Sequence, residues 1–233
     1  MQLKPDTRSG AVLNVNAVST VDEVTAAIVA AVRAGRIVPG QRLTEAEYSA
    51  RLGVSRSSVR EAFRRLTADG LLDFAPHRGV AVRQLTRKEV DDLFAIRGTL
   101  EALVVSLATR RLHAEPDELV ALRREMDEAA TAGDMNRFTG GNARFHALLA
   151  ASADNPLLAQ TLTRLSNTIY WLQFRVLVDR PAVFDTNREH DRIVDAIVAG
   201  DAAAAEAAMR DHVERSRRLI QSLSDEHFAA SPA

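Results

Sequence analysis

The chain has 233 residues, 46% of them apolar and 5% aromatic, and its 30 basic and 31 acidic side chains give a net charge of −1. It contains no cysteine, which excludes disulfides and thiolate ligands, so a bound metal would need nitrogen or oxygen ligands. No apolar run approaches the roughly 20 residues that cross a membrane. We therefore expect a cytoplasmic protein without a membrane partner, in which residues 1–18 form a flexible leader because they lack a signal-peptide core.

Three short helices are predicted after this leader. "TVDE", beginning at Thr20, has the capping-box pattern that opens a first helix, and Gly35 ends it. After a Pro-Gly turn, Thr44 is expected to cap a short second helix. Ser55 is expected to cap a third helix, which stops at Gly70.

A pair of short strands follows the third helix. In "LLDFAPHRGVAVRQL" the apolar residues Leu72, Phe74, Val80 and Val82 alternate with other residues on both sides of "PHRG". That alternation is typical of a two-stranded hairpin. The order helix, helix, helix, hairpin over residues 19–85 is that of a winged helix-turn-helix domain.

From residue 86 onwards the pattern is helical throughout. We predict a bundle of six helices, or seven, separated by the breaks "AEPD", "AGD", "ADNP", "DRPA" and "AGD". The predicted helices are 86–112, 116–132, 134–153, 156–178, 183–200 and 201–223. The first has an apolar stripe at 3-4 spacing, expected to face the interior of the bundle, made of Leu93, Ile96, Leu100, Leu103 and Leu107.

The fold expected from these patterns is mainly α. An N-terminal winged helix-turn-helix at 19–85 precedes an all-helical domain at 86–225 and a short tail at 226–233. The two parts differ in charge: residues 1–85 hold 12 basic and 8 acidic side chains, a net of +4, and residues 86–233 hold 18 and 23, a net of −5. A basic front half on an acidic body favours an anionic partner for the front half.

The third predicted helix has the chemistry of a DNA-reading element. Val59, Phe63 and Leu66 share one face, while Arg56 and Arg60 lie four residues apart on another. Arginine pairs bidentately with guanine, and hydroxyl and N–H groups at a helix start bind phosphate. A capped surface helix with solvated arginines would explain the helix alone, but the order of elements around it favours DNA binding.

The N-terminal region resembles the winged helix-turn-helix of GntR-type bacterial repressors. The resemblance lies in "GRIVPGQRLTEAEYSARLGVSRSSVREAFRRLTADGLLDFAPHRGVAV", through the motifs PG-x-x-L, LGVSR-x-x-VREA, RL-x-x-x-GL and RG-x-x-V. It implies that the chain binds double-stranded operator DNA. Ala46 stands where some members have arginine, and Tyr48 where an aliphatic residue is usual. The DNA contacts that the resemblance implies are Ser55, Arg56, Ser57, Ser58 and Arg60 in the third helix, with His77, Arg78 and Gly79 in the wing.

Three of the six histidines fall on apolar helix faces. His190 shares a face with Ile193 and Ile197, and His212 and His146 have apolar neighbours at the same spacing. Three inward imidazoles from three helices could converge on one divalent metal. The alternative is three separate core histidines, each hydrogen-bonded to a neighbour.

The second part of the chain, 86–225, resembles the all-helical effector domain, called FCD, of the FadR branch of the same family. The supporting stretches are "IRGTLEALVVSLA", "NARFHALLAASADNPLL" and "EHDRIVDAIVAGDAAAAEAAMRDHV". Many such domains bind a divalent metal through Asp-x-x-x-His and two later histidines, and are dimeric. The matching positions are Asn142, His146, His190 and His212, where Asn142 replaces the usual aspartate and brings no negative charge. The resemblance implies a homodimer with a divalent ion, and Zn, Ni and Mn all stay open.

A small carboxylate or sugar acid is the effector that we expect for such a site. Arg97 could pair with its carboxylate, although an internal ion pair with Glu101 explains Arg97 equally well. Arg144, Asn167 and Trp171 are further candidate effector contacts, and Trp171 is equally well explained as a core residue.

We interpret the sequence as a ligand-responsive transcriptional regulator, a repressor rather than an enzyme. One alternative is a metal-dependent hydrolase built on the three histidines, but the sequence has no HExxH pattern and no nucleophile elbow. The other alternative is a DNA-binding regulator whose helical bundle binds no metal.

Overall fold

The computed structural model of the protein describes residues 19–75, 79–179 and 187–230. Within these ranges the chain forms nine α-helices and a small sheet, divided between an N-terminal domain and a helical bundle. Two residues predicted for the wing, His77 and Arg78, lie outside the described residues, as does the predicted leader 1–18. None of the described helices is long and apolar enough to cross a membrane.

The N-terminal domain combines three helices with three antiparallel strands. Its elements are α1 (Thr20–Arg33), β1 (Arg42–Leu43), α2 (Glu45–Leu52), α3 (Arg56–Ala68), β2 (Leu72–Ala75) and β3 (Gly79–Val82). The prediction of a two-stranded hairpin was therefore incomplete, because β1 adds a third strand in the order β1-β3-β2 and pairs Leu43 with Val80. A two-residue strand is too short to show an alternating pattern.

The helix starts of this domain follow the predicted cap chemistry, with one shift. Ser19, not Thr20, caps α1: its hydroxyl accepts from the N–H of Asp22, whose carboxylate accepts from the N–H of Ser19. Thr44 caps α2 and Ser55 caps α3, as expected. Each cap satisfies an N–H group that the helix itself leaves without an acceptor.

The core of the N-terminal domain fixes the orientation of α3. Val59, Phe63 and Leu66 are buried against α1 and the sheet. Tyr48, which replaces the usual aliphatic residue, is buried in α2 and meets the ring of Phe63 edge to face, with centroids 5.8 Å apart. Because this face of α3 is buried, its polar and basic face points to solvent.

The helical bundle contains the six helices that the sequence predicts, with bounds shifted by a few residues. They are α4 (Arg87–Ala114), α5 (Asp117–Ala132), α6 (Met135–Ser152), α7 (Pro156–Asp179), α8 (Asn187–Val198) and α9 (Ala202–Gln221), followed by a 3-10 turn at Asp225–His227. The closest packing partners are α4 and α9, which lie against each other along most of their length.

The predicted inward stripe of α4 was wrong. Ile96, Leu103 and Leu107 are 44–51% exposed, and Leu93 and Leu100 are only half buried. The buried face is another one, which carries Val90, Phe94, Arg97, Glu101, Val104, Val105 and Ala108. A buried ion pair in its middle makes this face look polar in the sequence, so the apolar stripe on the neighbouring face gave the stronger helical pattern.

Helix α7 of the bundle lies against α1 of the N-terminal domain. The guanidinium carbon of Arg33 is 3.8 Å from the centre of the Tyr170 ring. Gly35, with φ +65°, touches the ring of Phe174 so closely that a Cβ atom there would lie 2.1 Å from it. The two domains are therefore in direct contact. Any residue larger than glycine at position 35 would force Phe174 to move.

The segment after α9 is fixed to the connection between the domains. Arg87 at the start of α4 donates hydrogen bonds to the carbonyl oxygens of Gln221 and Leu223, at 2.7 and 2.9 Å. The N–H of Ala229 donates to the carbonyl of Leu85 at 2.9 Å. Phe228 is buried in the bundle core, so the described part of the predicted tail packs on the bundle.

Candidate DNA-binding surface and metal centre

The start of α3 presents a group of hydroxyls and one unpaired arginine to solvent. The Ser55 hydroxyl accepts from the N–H of Ser58 at 3.1 Å and lies within 2.9 Å of the hydroxyls of Ser57 and Ser58. Arg56 is exposed and forms no hydrogen bond or ion pair with the described residues. Its guanidinium is therefore available to a base edge or a phosphate.

The other arginine of this surface, Arg60, already has a partner. Its Nε and Nη2 donate to the two carboxylate oxygens of Glu45 in α2, both at 2.7 Å. These hydrogen bonds from Arg60 lower the pKa of Glu45. To contact DNA, Arg60 would have to leave Glu45 or use its remaining N–H groups.

At the wing, the structure places a basic residue, Arg42, that the sequence pattern does not assign to the DNA-binding surface. Gly79 begins β3 with φ +80°, and the guanidinium of Arg42 lies beside it. Arg42 is exposed and reaches this position because β1 pairs with β3. The sequence has no pattern that predicts β1, and only the pairing of β1 with β3 brings residue 42 close to the wing.

Three histidines from three different helices come together in the bundle, as the sequence predicts. Their ligand nitrogens all lie within 4.8 Å of one another, on His146 of α6, His190 of α8 and His212 of α9. The Oδ1 of Asn142 is 2.9 Å from Nε2 of His190. Neighbouring ligand atoms about 2.1 Å from one metal lie roughly 3 Å apart, so nitrogens within 4.8 Å of one another need only small side-chain movements to meet on one divalent ion. We call these three histidines together with Asn142 the histidine cluster.

Two carboxylates that the sequence analysis did not assign to the metal site lie behind the histidines. Glu101 Oε2 is 3.0 Å from Nδ1 of His146, and Glu189 Oε2 is 3.3 Å from Nδ1 of His212. Both are charge contacts, since Glu101 Oε2 and Glu189 Oε2 have no hydrogen-bond partner of good geometry among the described residues. A carboxylate at Nδ1 leaves Nε2 of each ring free for a metal and fixes the orientation of the ring.

The protonation states around the cluster suit metal binding. Burial lowers the pKa of His212, which keeps the ring neutral as a metal ligand must be. Burial alone would raise the pKa of Glu101, but the Arg97 guanidinium and His146 beside it hold that pKa far below its usual range. Glu101 is therefore an anion inside the bundle, paired with Arg97 on the next turn of α4.

Two cavities of about 320 Å³ each adjoin the cluster. The first, which we call the histidine cavity, is lined by all three histidines and Asn142, by residues of α7, and by Ala30, Arg33 and Ala34 of α1. The second is lined by Glu101 and Arg144 among others. Arg33 and Tyr170 border both cavities and so stand between them.

The four residues predicted to bind an effector are dispersed. Arg144 borders the second cavity, where it pairs with Glu125. Arg97, Asn167 and Trp171 are not among the described lining residues of either cavity. Each of these three nevertheless has a buried polar atom without a hydrogen-bond partner among the described residues: Arg97 Nε and Nη1, Asn167 Oδ1 and Trp171 Nε1.

Comparison with known proteins assigns both domains to a family. The family model described as bacterial regulatory proteins, gntR family, matches residues 20–82, and the FCD domain model matches residues 92–215. Over 186 residues the chain is 35% identical to a Paenarthrobacter nicotinovorans protein named as a probable D-xylose utilization operon transcriptional repressor. That match covers 80% of this chain and 82% of the relative.

Solved structures agree with this fold. A GntR transcriptional regulator of Rhodococcus sp. RHA1 superposes with a TM-score of 0.75 at 26% identity, covering 89% of this chain and all of that one. The Escherichia coli protein McbR/YncC superposes with a TM-score of 0.80 at 23% identity, covering 88% of this chain and 98% of its own.

Proposed function

The chain belongs to the gntR family of bacterial regulatory proteins and carries an FCD domain, and from this premise we propose that it represses transcription as a homodimer on operator DNA until a small acid binds in its bundle. It is a transcriptional regulator and not an enzyme. The observation that carries the proposal is the histidine cluster, which opens on a cavity that also touches the DNA-binding domain.

On the DNA side, the free guanidinium of Arg56 is the proposed base contact. Ser55, Ser57 and Ser58 surround the start of α3, where exposed hydroxyl and N–H groups bind phosphate. Arg60 adds a contact when DNA displaces Glu45. The wing residues proposed to contact DNA are Gly79, with Arg42 beside it, and His77 and Arg78 from the family resemblance.

On the sensor side, Asn142, His146, His190 and His212 would hold a divalent ion, with Glu101 and Glu189 orienting two of the rings. When bound, the ion supplies a positive charge that attracts an anionic effector. Three neutral imidazoles and an amide oxygen do not offset that charge. Imidazole ligands suit Zn or Ni and the amide oxygen suits Mn, so the ligand set admits all three ions.

The lining of the histidine cavity favours a hydroxylated acid as effector. Amide and hydroxyl groups from Asn136, Thr139, Gln173 and Ser216 border it, and such groups recognise sugar hydroxyls. The D-xylose operon named for the P. nicotinovorans relative points to a polyhydroxylated compound, and the positive site selects the acid form of that class. Arg97, Arg144, Asn167 and Trp171, the effector contacts expected from the sequence, do not line the histidine cavity. They would contribute only to an effector that extends beyond it, Arg144 by way of the second cavity.

The exposed stripe of α4 is the proposed dimer contact. Ile96, Leu103 and Leu107 repeat at the 7- and 4-residue spacing of a helix-pairing seam, and a second copy of the same helix would cover them. Two copies also place two reading helices on the half-sites of an operator.

Leu103→Arg is expected to give a monomer in light scattering, while Leu157→Arg, at an exposed leucine of α7, should leave the assembly unchanged. A dimeric L103R protein would rule out this interface.

The test of the whole proposal uses purified protein loaded with Zn²⁺, Ni²⁺ or Mn²⁺ and a panel of sugar acids. We expect one acid to raise the melting temperature of the loaded protein and to release an operator selected from random duplex DNA. Operator binding that no acid changes would contradict the sensing role and leave the DNA-binding role intact.

A further inference from the structure

We propose that Arg33, on α1 of the DNA-binding domain, pairs with an anionic group of the effector in the histidine cavity, so that both domains hold the effector at once. The inference rests on the proposed function, because it takes this cavity as the effector site. It adds a contact that lies outside the effector domain.

The walls of the histidine cavity come from both domains. Ala30, Arg33 and Ala34 line it from α1, and Tyr170, Gln173 and Phe174 line it from α7, while the histidines close it from inside the bundle. A molecule that fills this cavity therefore contacts the DNA-binding domain directly.

Arg33 has no anionic partner of its own in the structure. Its side chain is half buried, its Nε is fully buried without a hydrogen-bond partner, and it forms no ion pair with the described residues. Desolvating a guanidinium costs free energy unless an anion or several acceptors compensate. An effector carboxylate would supply the missing acceptors.

Tyr170 engages Arg33 by stacking and through a hydrogen bond to its phenol oxygen, but it gives the guanidinium no negative partner. Burial raises the pKa of Tyr170, so the phenol is neutral and cannot serve as a counter-ion. The guanidinium carbon lies 3.8 Å from the ring centre, so the guanidinium sits over the ring. A guanidinium stacked on a ring keeps its N–H groups at the edge, where a carboxylate can accept two of them.

The charge around the cavity selects an anion. Among the described residues that line it, none is Asp or Glu, and Arg33 is the one with a permanent charge. Glu101, which borders the neighbouring cavity, is already engaged by Arg97 and His146. A metal held by the histidine cluster would add to this positive potential, so a neutral molecule gains less from the site than an acid.

Binding by Arg33 would couple the effector to the DNA-binding domain without an intermediate element. Arg33 lies two residues before Gly35, which is packed on Phe174 of the same bundle helix that carries Tyr170. An effector held by Arg33 and the bundle together would favour one orientation of α1 against α7. The ligand then shifts the equilibrium between domain arrangements by its preference for that orientation.

The test compares Arg33→Gln with Arg36→Gln, which removes the same charge at an exposed position three residues further along the chain. Full-length Zn²⁺-loaded protein is titrated calorimetrically with D-xylonate, D-gluconate, citrate, L-lactate and acetate, and with D-xylose as the uncharged counterpart of D-xylonate. We expect R33Q to bind the acid that the wild type binds about ten- to a hundredfold more weakly. R36Q should match the wild type, and D-xylose should not bind.

Two further measurements separate this result from a folding defect. R33Q should keep wild-type affinity for Zn²⁺ and, without acid, for the selected operator, but should stay on that operator when acid is added. Arg33→Lys, which keeps the charge and loses the planar fork, should give an intermediate loss even if R33Q is unstable.

Each outcome decides between the proposals. Equal acid affinity in wild type, R33Q and R33K would overturn the role of Arg33 and leave the proposed function standing. If none of the acids binds the wild type, the proposed function fails as an acid sensor and the role of Arg33 fails with it.

Discussion

The DNA-binding surface and the metal centre are built in opposite ways. The start of α3 collects its polar groups between Ser55 and Arg60, at five of six consecutive positions, with Val59 buried between them. The metal centre collects one imidazole each from α6, α8 and α9, with an anion from α4 behind it. A surface that reads DNA needs exposed donors, whereas a site that holds an ion and a small acid needs a walled cavity.

This difference has an energetic consequence. Exposed arginines such as Arg56 stay hydrated at little cost, so they need no support from the fold. Buried Glu101 and Arg97 must compensate each other, and His212 stays neutral because burial lowers its pKa. Substitutions at the metal centre should therefore affect stability and metal affinity together, while substitution of the exposed Arg56 should affect DNA affinity alone.

The largest effect is expected at the metal centre. His190→Ala removes the most buried of the three imidazoles and should lower metal affinity by more than roughly 100-fold, because loss of a group that only supports a ligand already costs about 10–100-fold. Metal titration of the purified variant measures this, and chelation should lower the melting temperature of the wild type but not of the variant. His113→Ala, at an exposed histidine of α4, is the control, and unchanged metal affinity in H190A would contradict the site.

The next effect is expected on the DNA-binding surface. Arg56→Ala should cost about 1–3 kcal/mol on the selected operator and relax base preference there, because a bidentate base contact is lost. Fluorescence anisotropy on specific and random duplexes measures it, with Arg51→Ala at the end of α2 as a control of equal charge. Equal losses on both duplexes would assign Arg56 to a phosphate, and metal affinity should stay unchanged throughout.

A smaller effect on metal affinity is expected at Glu189, which contacts the metal-ligand candidate His212. Glu189→Gln removes the charge beside Nδ1 of His212 and should weaken metal binding about 10- to 100-fold without abolishing it. Glu214→Gln, on the exposed side of α9, serves as the control in the same titration. If both variants bind metal like the wild type, Glu189 has no role in orienting His212.

The smallest effect is expected from removing the helix caps of α2 and α3, a comparison that distinguishes a folding role of Ser55 from a DNA-binding role. Ser55→Ala and Thr44→Ala each remove one helix cap and should each lower the free energy of unfolding by about 1 kcal/mol, measured by denaturant titration. Only Ser55→Ala should also weaken operator binding. Equal DNA affinity in the two variants would mean that Ser55 acts only by starting the helix.

The sequence by itself determined the order of the helices and the hairpin, both family motifs, the outward face of α3 and the inward positions of the three histidines. These features are local, because caps, helical spacing and turn residues act within a few positions of each other. The prediction failed where local patterns compete: the two-residue β1 gave no periodic signal, and the exposed stripe of α4 was more apolar than its buried face.

Only the tertiary structure decided which distant groups meet. Glu189 lies next to His190 in the sequence yet lies against His212 of another helix, and Glu101 reaches His146 across the bundle. Arg33 looks like an ordinary basic residue at the end of a surface helix, and its place in the histidine cavity follows from the packing of α1 on α7. No spacing within one helix contains that information, because contacts between helices depend on how whole faces pack.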